Sequence, residues 1–94
     1  MIDQESVKRF FKMLSLAPEL KQYWDEKEET AKLKSIQIAL SRKSKEEAVL
    51  LRFFGSVWFG NSEMFDFDFI EAAKVASEKE ISIIRKWLVK PFFC

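Results

Sequence analysis

Residues 48–59, AVLLRFFGSVWF, are apolar except at Arg52, Gly55 and Ser56. Wound as a helix, this stretch has no wide polar face, and such a helix is buried by other elements on several sides. The chain is therefore expected to fold as an all-α bundle of five to six helices around a central hydrophobic helix at about residues 45–59. Ninety-four residues is the length of one domain, and residues 1–94 are read as a single α-helical domain.

Local chemistry marks the other elements. Ser44-Lys-Glu-Glu47 is a capping box, in which the serine accepts from the third N–H and the glutamate reaches back. Gly60-Asn61 then supplies residue types that tolerate the left-handed turn closing a helix. Gly55, inside the helix, is expected to admit a close neighbouring helix or to mark a bend. Val7, Phe10, Phe11 and Leu14 keep helical spacing behind a possible cap at Asp3, with Ile2 and Val7 spaced as a hydrophobic staple. That first helix is expected to stop near Leu16, because Pro18 disfavours a helical Ala17. Pro18 suits the first turn of the next helix, whose buried side is Leu20, Tyr23 and Trp24.

Leu33, Ile36 and Leu40 form a later stripe out of phase with that one, so a break is expected at residues 27–30. The alternating MFDFDF run, Met64 to Phe69, is read as a loop with Phe65 and Phe67 pointing inward, since no comparable strand exists to pair with it. Asp68-Phe-Ile-Glu71 caps a short helix over residues 69–76, and Ser77-Glu-Lys-Glu80 is a further capping box. The last helix is expected to bury Ile81, Ile84, Trp87 and Leu88 and to end before Pro91.

Residues 6–20, SVKRFFKMLSLAPEL, resemble the opening helix of Nif-type leader domains of modified peptides in their apolar spacing and Pro-Glu-Leu step. The likeness stops before Trp24, and no cysteine- or serine-rich core peptide follows. No function is carried over from it.

Function classes are narrowed mainly by what the chain lacks. There is no histidine, which removes the commonest general base and metal ligand, along with serine–histidine and cysteine–histidine nucleophiles. One cysteine cannot build a usual zinc site, and two glycines cannot form a phosphate-cradling loop. No metal, cofactor or enzymatic activity is expected. Asp66 and Asp68 are the one carboxylate pair worth weighing for catalysis, and capping of the following helix is the favoured role. A net charge of +1, spread evenly along the chain, gives no field for nucleic acid or membranes. The amphipathic, charged opening segment points away from a signal peptide, and Cys94 permits no internal disulfide. A cytoplasmic setting without membrane contact is the expectation.

The 10 Phe, 3 Trp and 1 Tyr are the best functional lead. Core packing accounts for many of them, but aromatics are also enriched at interfaces. The sequence reading is a non-enzymatic protein–protein interaction module that self-associates as a homodimer, or binds another protein. The proposed contacts are Trp58, Phe59, Phe65, Phe67, Phe92 and Phe93. The alternative is a helix-turn-helix-like DNA binder using the last two helices, with Lys79, Ser82, Arg85 and Lys86 as contacts. Against it, Glu78 and Glu80 open the helix that would face the bases.

Overall fold

The capping signals fix where the helices begin. In the computed structural model, which describes residues 4–94, the Ser44 hydroxyl accepts from Glu47 N at 3.2 Å and the Glu47 carboxylate accepts from Ser44 N at 3.0 Å. Ser77 and Glu80 form the same reciprocal pair. Asp68 accepts from Ile70 N and Glu71 N, whereas Asp66 caps nothing and adopts a left-handed φ of 51°.

The element order is α1 (Gln4–Leu14), a 3₁₀ helix (Pro18–Tyr23), β1 (Trp24–Asp25), β2 (Thr30–Ala31), α2 (Leu33–Arg42), α3 (Lys45–Phe59), α4 (Phe69–Val75) and α5 (Glu78–Val89). The fold is a small all-α bundle. Among the described residues, no helix is long and apolar enough to cross a membrane. The cap at Asp3 and its Ile2–Val7 staple lie outside the described residues. The helix α1 ends at Leu14, slightly earlier than expected, and tightens into two successive i, i+3 turns that bring Ala17 into the core.

The expected break before α2 is a two-residue antiparallel hairpin. Trp24 pairs with Ala31 and Asp25 with Thr30. The Asp25 carboxylate accepts from Glu28 N at 3.0 Å, and Glu29 turns with φ 55°. Charged residues cover this turn because it has no apolar side to bury.

Helix α3 is the axis of the bundle. Val49, Leu50, Leu51, Phe53, Phe54, Val57 and Trp58 are all buried on it, and α2, α4 and α5 pack around it. Gly60 closes it in the left-handed conformation, with φ 64°. The reason for Gly55 is a ring rather than a neighbouring helix. A Cβ there would lie 2.8 Å from Cδ1 and Cε1 of Phe65, which folds back from the loop onto the helix. Arg52 holds the same loop from the side, donating from Nη1 to the Phe65 carbonyl at 3.1 Å and pairing with Asp66 Oδ2 at 3.4 Å.

Helix α5 turns differently from the expectation. Ile83, Ile84 and Trp87 are buried, whereas Ile81 and Leu88 face outward. Trp87 and Ile84 are buried as expected, the Trp87 ring packing against Phe53 and its Nε1 donating to the Phe92 carbonyl at 3.0 Å.

Candidate functional site

Three of the six aromatics expected at the surface are buried. Trp58 is roofed by α1, with its ring 4.8 Å from that of Phe10 and 5.7 Å from that of Phe11. Phe65 occupies the notch over Gly55. Phe92 lies under the Arg9 guanidinium, which stands 4.6 Å above its ring. Their packing in the core removes them from the candidate surface. Phe59 is 37% exposed but rests against Phe65. Phe67 is half-buried, and Phe93 is 62% exposed.

Phe67 and Phe93 come together with three residues that the sequence reading did not select: Phe53, Phe69 and Trp87. Four of these rings close a circuit. Centroids are 5.6 Å apart for Phe53–Phe67, 5.0 Å for Phe67–Phe69, 6.5 Å for Phe69–Trp87 and 5.5 Å for Trp87–Phe53. Phe93 adds a fifth ring, edge-on to Trp87 at 5.6 Å. These edge-to-face and offset arrangements suit the positive edge and negative face of aromatic rings.

The circuit borders an open cleft of about 230 Å³, completed by Val57, Gly60 and the polar groups of Ser56, Asn61 and Ser62. No charged side chain lines it. Local structure explains how it stays open. Phe69 is the first residue of α4, immediately after the cap at Asp68, so its ring stands at a helix end and remains 47% exposed. Phe93 is held at the opposite rim by the tail after α5. There Arg9 donates to the Lys90 carbonyl, Trp87 holds the Phe92 carbonyl, and Cys94 Sγ lies 4.0 Å from the Ser6 carbonyl. The tail is thus fastened to α1 while Phe93 points outward.

A second hollow of similar volume lies between α3 and α4, lined by Lys45, Arg52, Asp66, Asp68 and Glu71 over Val49, Ala72 and Val75. Its charges are already engaged with one another. Lys45 pairs with Glu71 at 3.4 Å, Arg52 pairs with Asp66, and Asp68 caps α4. Asp66 and Asp68 therefore have structural roles in the loop and the helix cap.

Lys79, Ser82, Arg85 and Lys86 are all exposed along α5. The helix before it, α4, has seven residues, and the first turn of α5 carries Glu78 and Glu80. No family model, curated protein or solved structure matches this chain.

Proposed function

We propose that this chain is a non-enzymatic interaction module that self-associates as a homodimer through the cleft bounded by Phe53, Phe67, Phe69, Trp87 and Phe93. One observation carries the reading: five rings line an open, uncharged cleft, and two of them are substantially exposed. Aromatic rings are enriched at the well-packed centres of interfaces, where the few dominant side chains cost about 2 kcal/mol or more on truncation. A standard interface needs about 800 Å² from each partner, roughly an eighth of this chain's 6164 Å². Phe59, Met64 and Ile70 are exposed close in sequence to the lining residues and extend the apolar surface available. The lack of histidine and of a usual zinc-ligand set supports the non-enzymatic, cofactor-free part of the reading. A lone cysteine fits a reducing, cytoplasmic setting.

Sedimentation equilibrium across a hundredfold concentration range tests this reading. The expected result is a dimer whose dissociation constant rises about thirtyfold in Phe69→Ala, the equivalent of about 2 kcal/mol. A mass that stays monomeric throughout refutes the homodimer. The DNA-reading alternative rests on the exposure of Lys79, Ser82, Arg85 and Lys86, and the acids at the start of α5 work against it. Salt-sensitive duplex binding abolished by Arg85→Glu with Lys86→Glu would reverse the ranking.

A further inference from the structure

Residues 90–94 are held in place by side chains rather than by a backbone ladder. Among the described residues, no backbone–backbone hydrogen bond holds residues 91–93, and Pro91 has no N–H to give. The carbonyls of Lys90 and Phe92 are gripped instead from two helices. Arg9 on α1 donates to the Lys90 carbonyl, and its guanidinium stands 4.6 Å above the Phe92 ring. Trp87 on α5 donates from Nε1 to the Phe92 carbonyl at 3.0 Å.

Burial along the segment is equally sparse. Phe92 is buried and Cys94 half-buried, whereas Lys90, Pro91 and Phe93 are exposed. Lifting the segment therefore bares one large side chain of its own and returns the conformational freedom of the residues it releases. Few buried contacts and few backbone bonds place such a segment at the low-stability end of a fold. Helix α3, which buries nine residues, stands at the other end. Since α5 ends at Val89 and Pro91 fixes its own φ, a swing of the segment turns about Lys90.

Phe93 couples that swing to the cleft. Its ring meets Trp87 edge-on at 5.6 Å and forms one wall of the hollow. Trp87 is common to both features, since its ring lines the hollow while its Nε1 anchors the segment.

We propose that residues 90–94 are a strap latched by Arg9, which lifts about Lys90 while the helices stay folded and takes the Phe93 wall away from the aromatic cleft. Arg9 suits the latch because one planar group serves both as donor to Lys90 and as the cation over Phe92. The cleft then has two forms, walled with the strap down and open along Trp87 with the strap raised. This device belongs to the single chain and does not depend on self-association.

Hydrogen exchange at two indole N–H groups of the full chain tests the strap, at a concentration where the chain is monomeric. Trp87 Nε1 is released whenever the strap lifts. Trp24 Nε1 is buried in the closed cluster against Phe10, so it is released only when α1 comes away. Trp87 should exchange more than about tenfold faster than Trp24 and depend less on denaturant, because strap opening exposes little surface. Arg9→Ala should raise the Trp87 rate about tenfold further. Ile36→Val, which removes a buried methyl group from α2, should speed Trp24 about fivefold and leave Trp87 within about twofold. It weakens the strap-down and strap-raised forms equally, so only unfolding beyond the strap responds to it. Equal rates at the two indoles, or equal acceleration of both by Ile36→Val, would show that the strap moves only with the whole fold and overturn the proposal. An unchanged Trp87 rate in Arg9→Ala would remove Arg9 as the latch.

Discussion

Phe53 and Phe54 are neighbours in the sequence, with their rings 5.4 Å apart, and each faces a different group of aromatic rings. Phe54 belongs to a closed one, in which the Phe10 ring touches those of Phe11, Trp24, Phe54 and Trp58 at 4.8–5.6 Å. Every ring in that cluster is buried. Phe53, about 100° further round α3, belongs to the open circuit with Phe67, Phe69 and Trp87. The residue types are the same, and the ring spacings overlap, at 5.0–6.5 Å in the open circuit. What differs is the cover. The closed cluster lies beneath α1, the 3₁₀ helix and β1. The open one has only the start of a seven-residue helix, one side of α5 and a short tail to shield it.

The closed cluster also tolerates a polar defect that the open side avoids. Trp24 Nε1 is buried with no hydrogen-bond partner, while Trp87 Nε1 has the Phe92 carbonyl. Leaving such a donor unpaired costs about 1–3 kcal/mol. Ring packing at full burial outweighs that cost around Trp24.

Substitutions that weaken one cluster at a time sharpen this contrast. Phe10→Ala should have the largest effect on folding, about 3–5 kcal/mol, because it removes the ring that touches all four others of the closed cluster. Chemical denaturation measures this, and a loss below about 1 kcal/mol would show that α1 is not an essential cover. Phe69→Ala, in the open cluster, should cost less than about 1 kcal/mol of monomer stability, since its ring is already half outside. Equal losses at Phe10 and Phe69 would erase the distinction.

Gly55→Ala comes next, at about 1–3 kcal/mol. Alanine improves helix propensity by about 1 kcal/mol, but its Cβ would have to displace the buried Phe65 ring. A stabilised variant would show that this ring gives way easily. Ser44→Ala should cost about 1 kcal/mol by removing the cap of α3. It should affect both clusters together, because α3 supplies both.

The smallest effect is pH dependence at Glu47. Its carboxylate accepts hydrogen bonds from the Ser44 backbone and hydroxyl, which hold its pKa below the ordinary 4.5. A depressed folded-state pKa contributes stability above the unfolded value and loses it as the pH falls through the folded one. Wild-type unfolding curves taken from pH 5 downward should therefore lose slightly more stability than those of Glu47→Gln. Parallel acid limbs would remove this contribution.

What the sequence made legible follows the same division between local and tertiary causes. The capping residues Ser44, Asp68 and Ser77 and the closing Gly60 could be read directly, because each acts within about four positions of itself. The all-round burial of α3 was equally plain from its composition. The choice between Ile81 and Ile83 on α5 was not, since the two residues look alike in the helical pattern and only tertiary packing separates them. The hairpin at Trp24–Ala31 could be read only as a break, because two-residue strands leave no alternating pattern. Which aromatics stay exposed depended on how far α1 and α4 extend over α3. Phe69 carried one usable signal, its position directly after a cap, while Trp87 and Phe53 carried none.

The fastening of the tail to α1 has a consequence for how the chain can be rewired. Cys94 Sγ and the Ser6 carbonyl are separated by 4.0 Å although the residues are 88 positions apart. Segments 88 positions apart in this sequence therefore lie side by side, the geometry in which circular permutation is tolerated. A permutant that joins residues 94 and 4 through a short flexible linker and reopens the backbone in the charged turn at Lys27–Glu28 should keep both aromatic clusters. Its folding would then proceed with α1 and the tail already tethered as neighbours, so that their meeting no longer waits on closing a loop of 88 positions.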